Sequence, residues 1–182
     1  MNALDLALHE SAHAVVAVVL GAQVVRVSIG ADGGQTAVVG MAPHVALRAA
    51  LAGQAASVVF GRGADVRCSE GDYVTAFKHA VRLAADEDGA GLGSECFRAA
   101  SASVSPDEAA AALARRWVAR AHVLVEEAEG EVGELLGRHR LVVRTLAGHL
   151  EQWQYLSGRA VHALVEESRL RQADTYENWR AI

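Results

Sequence analysis

Two histidines with a glutamate beside the first, His9-Glu10-Ser11-Ala12-His13, are the residues of this 182-residue chain best suited to chemistry. Four residues of α-helix advance about 400°, so side chains at i and i+4 stand roughly 40° apart on one face. On a helix the two imidazoles therefore converge, and converging neutral imidazoles are ligands for a divalent cation. Zinc suits the pair because it takes imidazole nitrogen readily and, in a catalytic site, keeps a fourth position open for water. Glu10 projects beside the pair without having to ligate, where a carboxylate acts as general base toward that water. The chemistry so indicated is hydrolysis: water attacks a carbonyl, Glu10 takes the proton, and the metal stabilises the oxyanion.

Chance alone produces such a pentad in about 3% of shuffled chains of this composition, so its surroundings have to support it. Leu6, Ala7, Leu8, Ala14, Val15 and Val16 sheathe the motif, and an apolar sheath strengthens a metal's field and excludes competing ligands. A third ligand must come from elsewhere. No His lies within ten residues after His13, and the first Glu after Glu10 is Glu70. Asp72, at the expected start of a third helix, is the best-placed carboxylate; ordinary helix capping is its alternative role. His79 lies two helical turns beyond Asp72 on the same face and is a candidate to sit beside the site, with a local structural role as the alternative.

The elements that must position these groups follow from local pattern. Residues 3–20 are unbroken helix formers closed by Gly21. Val24–Ile29 alternates and is β-branched, Asp32-Gly33-Gly34 signals a turn, and Thr36–Val39 returns as a second strand. Pro43 opens a helix over 44–60, and a loop from Arg62 to Gly71 leads into a helix over 72–86. The Gly- and Ser-rich stretch 88–105 reads as a loop, and Ser105-Pro106-Asp107-Glu108 is a helix start. A long helix to about Leu136 follows, then helices over 139–155 and 158–170 and a polar, mobile tail. The expected fold is mainly α, a single domain over 1–182 with about six helices and a small β-hairpin after the first helix. Residues 1–87 form its zinc-site half and 105–170 its C-terminal helices.

Composition narrows the function classes. With 52% hydrophobic residues and a net charge of −5 the chain buries a core, and it lacks the clustered basic face that nucleic acid requires. Cys68 and Cys96 match no zinc spacing and are too few for a disulfide framework, as expected of reduced thiols in a cytoplasmic protein. No apolar run reaches the ~20 residues of a membrane span, and no signal peptide precedes the first helix, so no membrane insertion is expected.

The segment Ala7–Val16 resembles the zinc helix of the peptidase domain of FtsH-type AAA proteases. Leu51–Ala56 with Phe60-Gly61 is similar to that family's second helix, and Ser69–Asp72 with Ala76 and Ala80 to the segment supplying an aspartate ligand. Leu141–Leu150 and Leu156–Val161 resemble its closing helices. The resemblance implies a zincin-like peptidase fold with His9, His13 and Asp72 as ligands of one Zn²⁺ per chain and Glu10 as base. It also implies a peptide or unfolded-protein substrate, aligned as an added strand on an edge of the hairpin. Val25, Val27 and Ile29 on one strand and Val38 on the other are the candidate contacts.

The family's ring-forming habit makes a homo-oligomer an expectation. Its membrane segment and ATPase domain are not expected here, because the zinc helix starts near residue 1, so a separate ATPase or adaptor would deliver folded substrates. The family also carries an acid after the Ala-Ala of its second helix, where this chain has Ser57. Two readings stay open: a zinc metalloendopeptidase, or a metal-retaining, weakly active or inactive module that binds or regulates a partner.

Overall fold

The computed structural model describes the backbone of residues 2–61, 66–87 and 106–180, with side chains over 2–61, 70–87 and 111–169. Among the described residues six helices and one small sheet follow in the order α1 (Ala3–Val19), β1 (Gln23–Gly30), β2 (Gly33–Val39), α2 (Pro43–Val59), α3 (Val66–Glu87), α4 (Pro106–Arg138), α5 (Arg140–Trp153), β3 (Tyr155–Ser157) and α6 (Gly158–Arg180). The mainly helical expectation holds. The stretch 88–105 and the side chains of Cys68 and Cys96 lie outside the described residues.

Helix α1 is buried nearly all round, from Leu6 to Ala12 and from Ala14 to Val18. It packs on α2, α5 and the hairpin at once. Such a central helix has no polar face to display, which is why its sequence reads as almost continuously apolar. Asn2 caps its start by accepting the Asp5 N–H at 2.8 Å. Its end is a Schellman turn: Ala22 N–H reaches Ala17 O at 2.9 Å, Gly21 N–H reaches Val18 O at 3.0 Å, and Gly21 takes φ +86°.

Helix α2 divides two cores. Val45, Ala49, Ala52 and Ala56 face the cluster around α1, whereas Leu47 and Leu51 enter a second cluster with Ala76 and Ala80 of α3 and Ala121, Val125 and Ala128 of α4. Fully burying a Leu or Val contributes about 1.5–3 kcal/mol relative to exposure, so both faces anchor the helix. Alanines at 49, 52 and 56 keep the α1–α2 contact close. An Arg48–Glu131 ion pair adds a polar tie between α2 and α4.

Three expectations are corrected. Helix α3 begins at Val66, not near residue 72, so Asp72 lies inside the helix and does not cap it. The hairpin is part of a three-stranded antiparallel sheet of order β2-β1-β3, in which Tyr155–Ser157 pairs with Arg26–Ser28. The polar tail continues as α6 to Arg180. The short β3 is set up by Gln154, whose φ of 58° turns the chain out of α5 and lets its carbonyl accept the Ile29 N–H at 3.0 Å. Trp153 and Tyr155 stand exposed on this side of the sheet. Among the described residues no helix is long and apolar enough to cross a membrane.

Candidate metal centre

Burial of α1 against α2 turns His9 and His13 toward α3. His9 Nε2 lies 3.0 Å from His13 Nε2 and 3.0 Å from Asp72 Oδ2, and His13 Nε2 lies 3.3 Å from the same oxygen. The rings meet edge to face, 78° apart. Three ligands at 2.0–2.1 Å from zinc at tetrahedral angles place their donors about 3.3–3.4 Å apart, so these spacings fall within a few tenths of an ångström of a shared ion. Among the described residues this is the group of His, Cys, Asp and Glu side chains able to hold a metal.

The tautomers support the same fit. His13 Nδ1 is 2.6 Å from Ala49 O, and a carbonyl only accepts, so Nδ1 carries the proton and the Nε2 lone pair faces the centre. Asp72 Oδ2 is buried without a well-directed hydrogen bond. A lone pair and a carboxylate oxygen 3.3 Å apart repel unless positive charge lies between them. Burial alone would lower the His13 pKa, but the Asp72 carboxylate, which would accept from a protonated Nε2 and attracts its charge, with help from Glu10 and the Ala49 carbonyl, raises it overall. Burial alone would raise the Asp72 pKa, yet the adjacent His13 and His9 rings, which when protonated would donate to the carboxylate and add their charge, hold the carboxyl well below the usual carboxylate range. The cluster has the donor set and spacing of a candidate cation site. The Ala49 carbonyl orients the His13 ring from the backbone of α2.

Glu10 is buried, at 6% exposure, and lines a cleft of about 290 Å³ together with His13 and Asp72. Its Oε2 accepts from the Thr36 hydroxyl at 2.7 Å, and that hydroxyl also lies 3.0 Å from the Glu10 carbonyl. Replacing Thr36 with Val keeps the shape of the side chain and removes this donor. If the centre hydrolyses a substrate, turnover is expected to fall about tenfold, the order of one hydrogen bond to a charged group. Metal content should stay constant and Thr36→Ser should restore the rate, as steady-state kinetics and metal analysis would check.

Two glycines permit this packing. A Cβ at Gly34 of β2 would meet the Glu10 side chain, with Cδ only 2.7 Å away. A Cβ at Gly53 of α2 would meet His9 Cε1, and would lie 2.5 Å from His9 Nδ1 and 2.6 Å from His13 Nε2. Thr36, Gly34 and Gly53 were not singled out from sequence. The available signal was a Gly in the middle of a helix of good helix formers, which costs about 1 kcal/mol and calls for a packing reason.

Of the sequence-derived substrate contacts, Val38 lines the cleft. Val25, Val27 and Ile29 do not form an edge: β1 is the central strand, paired on both sides over Arg26–Ser28, and Val27 and Ile29 are core residues. Val25 sits at a register shift and is exposed. Among the described residues the hairpin edge left for a partner is β2. His79 lines the same cleft as Asp72.

No protein-family model matches the chain, and no curated protein matches it. The geometry of the centre is therefore what speaks to function.

Proposed function

We propose that the protein is a zinc-dependent endopeptidase acting on unstructured proteins or peptides. The observation that carries this reading is the convergence of His9 Nε2, His13 Nε2 and Asp72 Oδ2 within 3.3 Å of one another, in a cleft that Glu10 also lines. His9, His13 and Asp72 would hold the zinc, which would supply the Lewis acidity that brings the pKa of a bound water toward 7. Glu10 takes the water proton and returns it to the departing amine, serving as base and then as acid. Thr36 fixes the carboxylate for both transfers. The outer edge of β2 offers main-chain groups to an extended peptide, a mode of binding tolerant of side chains and suited to a broad substrate range.

The zincin-like, FtsH-type fold belongs to the same proposal. Its support is the resemblance of segments 7–16, 51–61 and 69–80, which fall on α1, α2 and α3 in that order and carry His9, His13, Gly53 and Asp72. Self-association and delivery of substrates by a separate ATPase or adaptor are parts of this reading that rest on the resemblance alone.

A second reading, a metal-retaining module with little activity, draws on the backbone carbonyl at His13: a carboxylate in that place raises ligand basicity more. Against it stands Glu10, which a purely structural metal site has no use for. Metal analysis and casein hydrolysis by the purified protein separate the two. About one zinc per chain is expected, with cleavage lost on chelation and restored by Zn²⁺. Tight zinc without cleavage of unfolded casein would sink the endopeptidase reading and leave the module.

A further inference from the structure

An added strand on β2 satisfies only one of its own edges. The opposite edge of an extended peptide carries N–H and C=O groups of its own, and inside a cleft these need partners. The wall facing β2 is α3, whose Asp72, Thr75 and His79 line the cleft. Successive steps of three and four residues keep the three on one face, with Asp72 and His79 only about 20° apart around the axis. Asp72 is committed to the histidines. The Thr75 hydroxyl is committed to its own helix, donating to Gly71 O at 2.9 Å. His79 has no hydrogen-bond or ion-pair partner among the described residues.

We propose that His79 contacts the substrate, its ring N–H donating a hydrogen bond to a main-chain carbonyl on the far edge of a peptide lying between β2 and α3. The site is one for extended polypeptide backbone, and it rests on the endopeptidase reading above. The Asp72 and His79 Cα atoms are about 10.5 Å apart along the helix, too far for His79 to join the metal ligands. Helical side chains lean toward the N-terminus, so the ring tilts back toward Asp72. At about 3.3 Å per residue of extended peptide, the donor serves a residue within two or three of the scissile bond. Burial and the neighbouring Arg82 lower the His79 pKa, which leaves the ring neutral at neutral pH. A neutral donor recognises a carbonyl without placing a second positive charge beside the metal.

The test is binding without turnover. Zinc-loaded Glu10→Gln protein is titrated into a fluorescein-labelled, unstructured casein peptide and followed by anisotropy. Adding His79→Phe, which keeps a ring and removes the donor, is expected to raise Kd about tenfold. His79→Gln, which keeps an N–H, is expected to stay within about threefold, with zinc content equal in all three proteins. Unchanged affinity in His79→Phe, equal weakness in His79→Gln, or no peptide binding by Glu10→Gln would each overturn the assignment. Should the wild type bind peptide in this His79-dependent way yet fail to cleave it, the endopeptidase reading falls and the binding site stands.

Discussion

Glu10→Gln is expected to lower casein hydrolysis about a thousandfold while leaving bound zinc unchanged, within the range a positioned general base contributes. The substitution is close to isosteric, so it fits the space over Gly34 that Glu10 occupies. An amide can still accept from the Thr36 hydroxyl, which sits 2.7 Å from Oε2 in the wild type. What the variant loses is the ability to take a proton. His9, His13 and Asp72 are untouched, so metal affinity serves as the internal control. Initial-rate kinetics beside metal analysis check the result. Residual activity within about tenfold of wild type would mean that another group carries the proton.

Gly53→Ala is expected to cost about ten- to a hundredfold in zinc affinity, and hydrolysis with it, through a single methyl group. The added Cβ would lie against both imidazoles at once, 2.6 Å from His13 Nε2. Neither ring yields easily. His13 is tied to Ala49 O at 2.6 Å, and α1 is packed by α2 on one side and α5 on another. Relief requires α2 to move off α1 or a histidine to leave its rotamer, and overpacking of this kind costs about 1–3 kcal/mol. The gain in helix propensity, about 1 kcal/mol for Ala over Gly, offsets part of that. Competition against a chromophoric chelator reads the affinity, and urea unfolding reads the stability. Wild-type affinity in Gly53→Ala would show that the close approach of α2 to the two rings is not what shapes the centre.

The sequence by itself determined the parts that depend on local spacing. An i, i+4 pair on a helix converges whatever else the chain does, so His9, His13 and Glu10 were legible as a candidate metal-and-base constellation. The hairpin was legible from alternation and its Gly-rich turn, and α1 from its uninterrupted helix formers and Gly21. Asp72 was legible as a candidate, but for a geometric reason that the structure replaces: it stands inside α3, aimed by the packing of Ala76 and Ala80 against α2, not at the mouth of a loop.

Only the tertiary structure decided which strand is the edge, because three residues, Tyr155–Ser157, are too few to show a period and become a strand only by pairing with β1. That pairing places Val27 and Ile29 in the core and leaves β2 beside the cleft. Thr36, Gly34 and Gly53 lie 26, 24 and 40–44 residues from the groups they contact, since their roles come from contact between elements that no single window of sequence contains. Ligand type and spacing are properties of one helix. Close approach, hydrogen-bond partners and exposed edges are properties of helices and strands packed against one another.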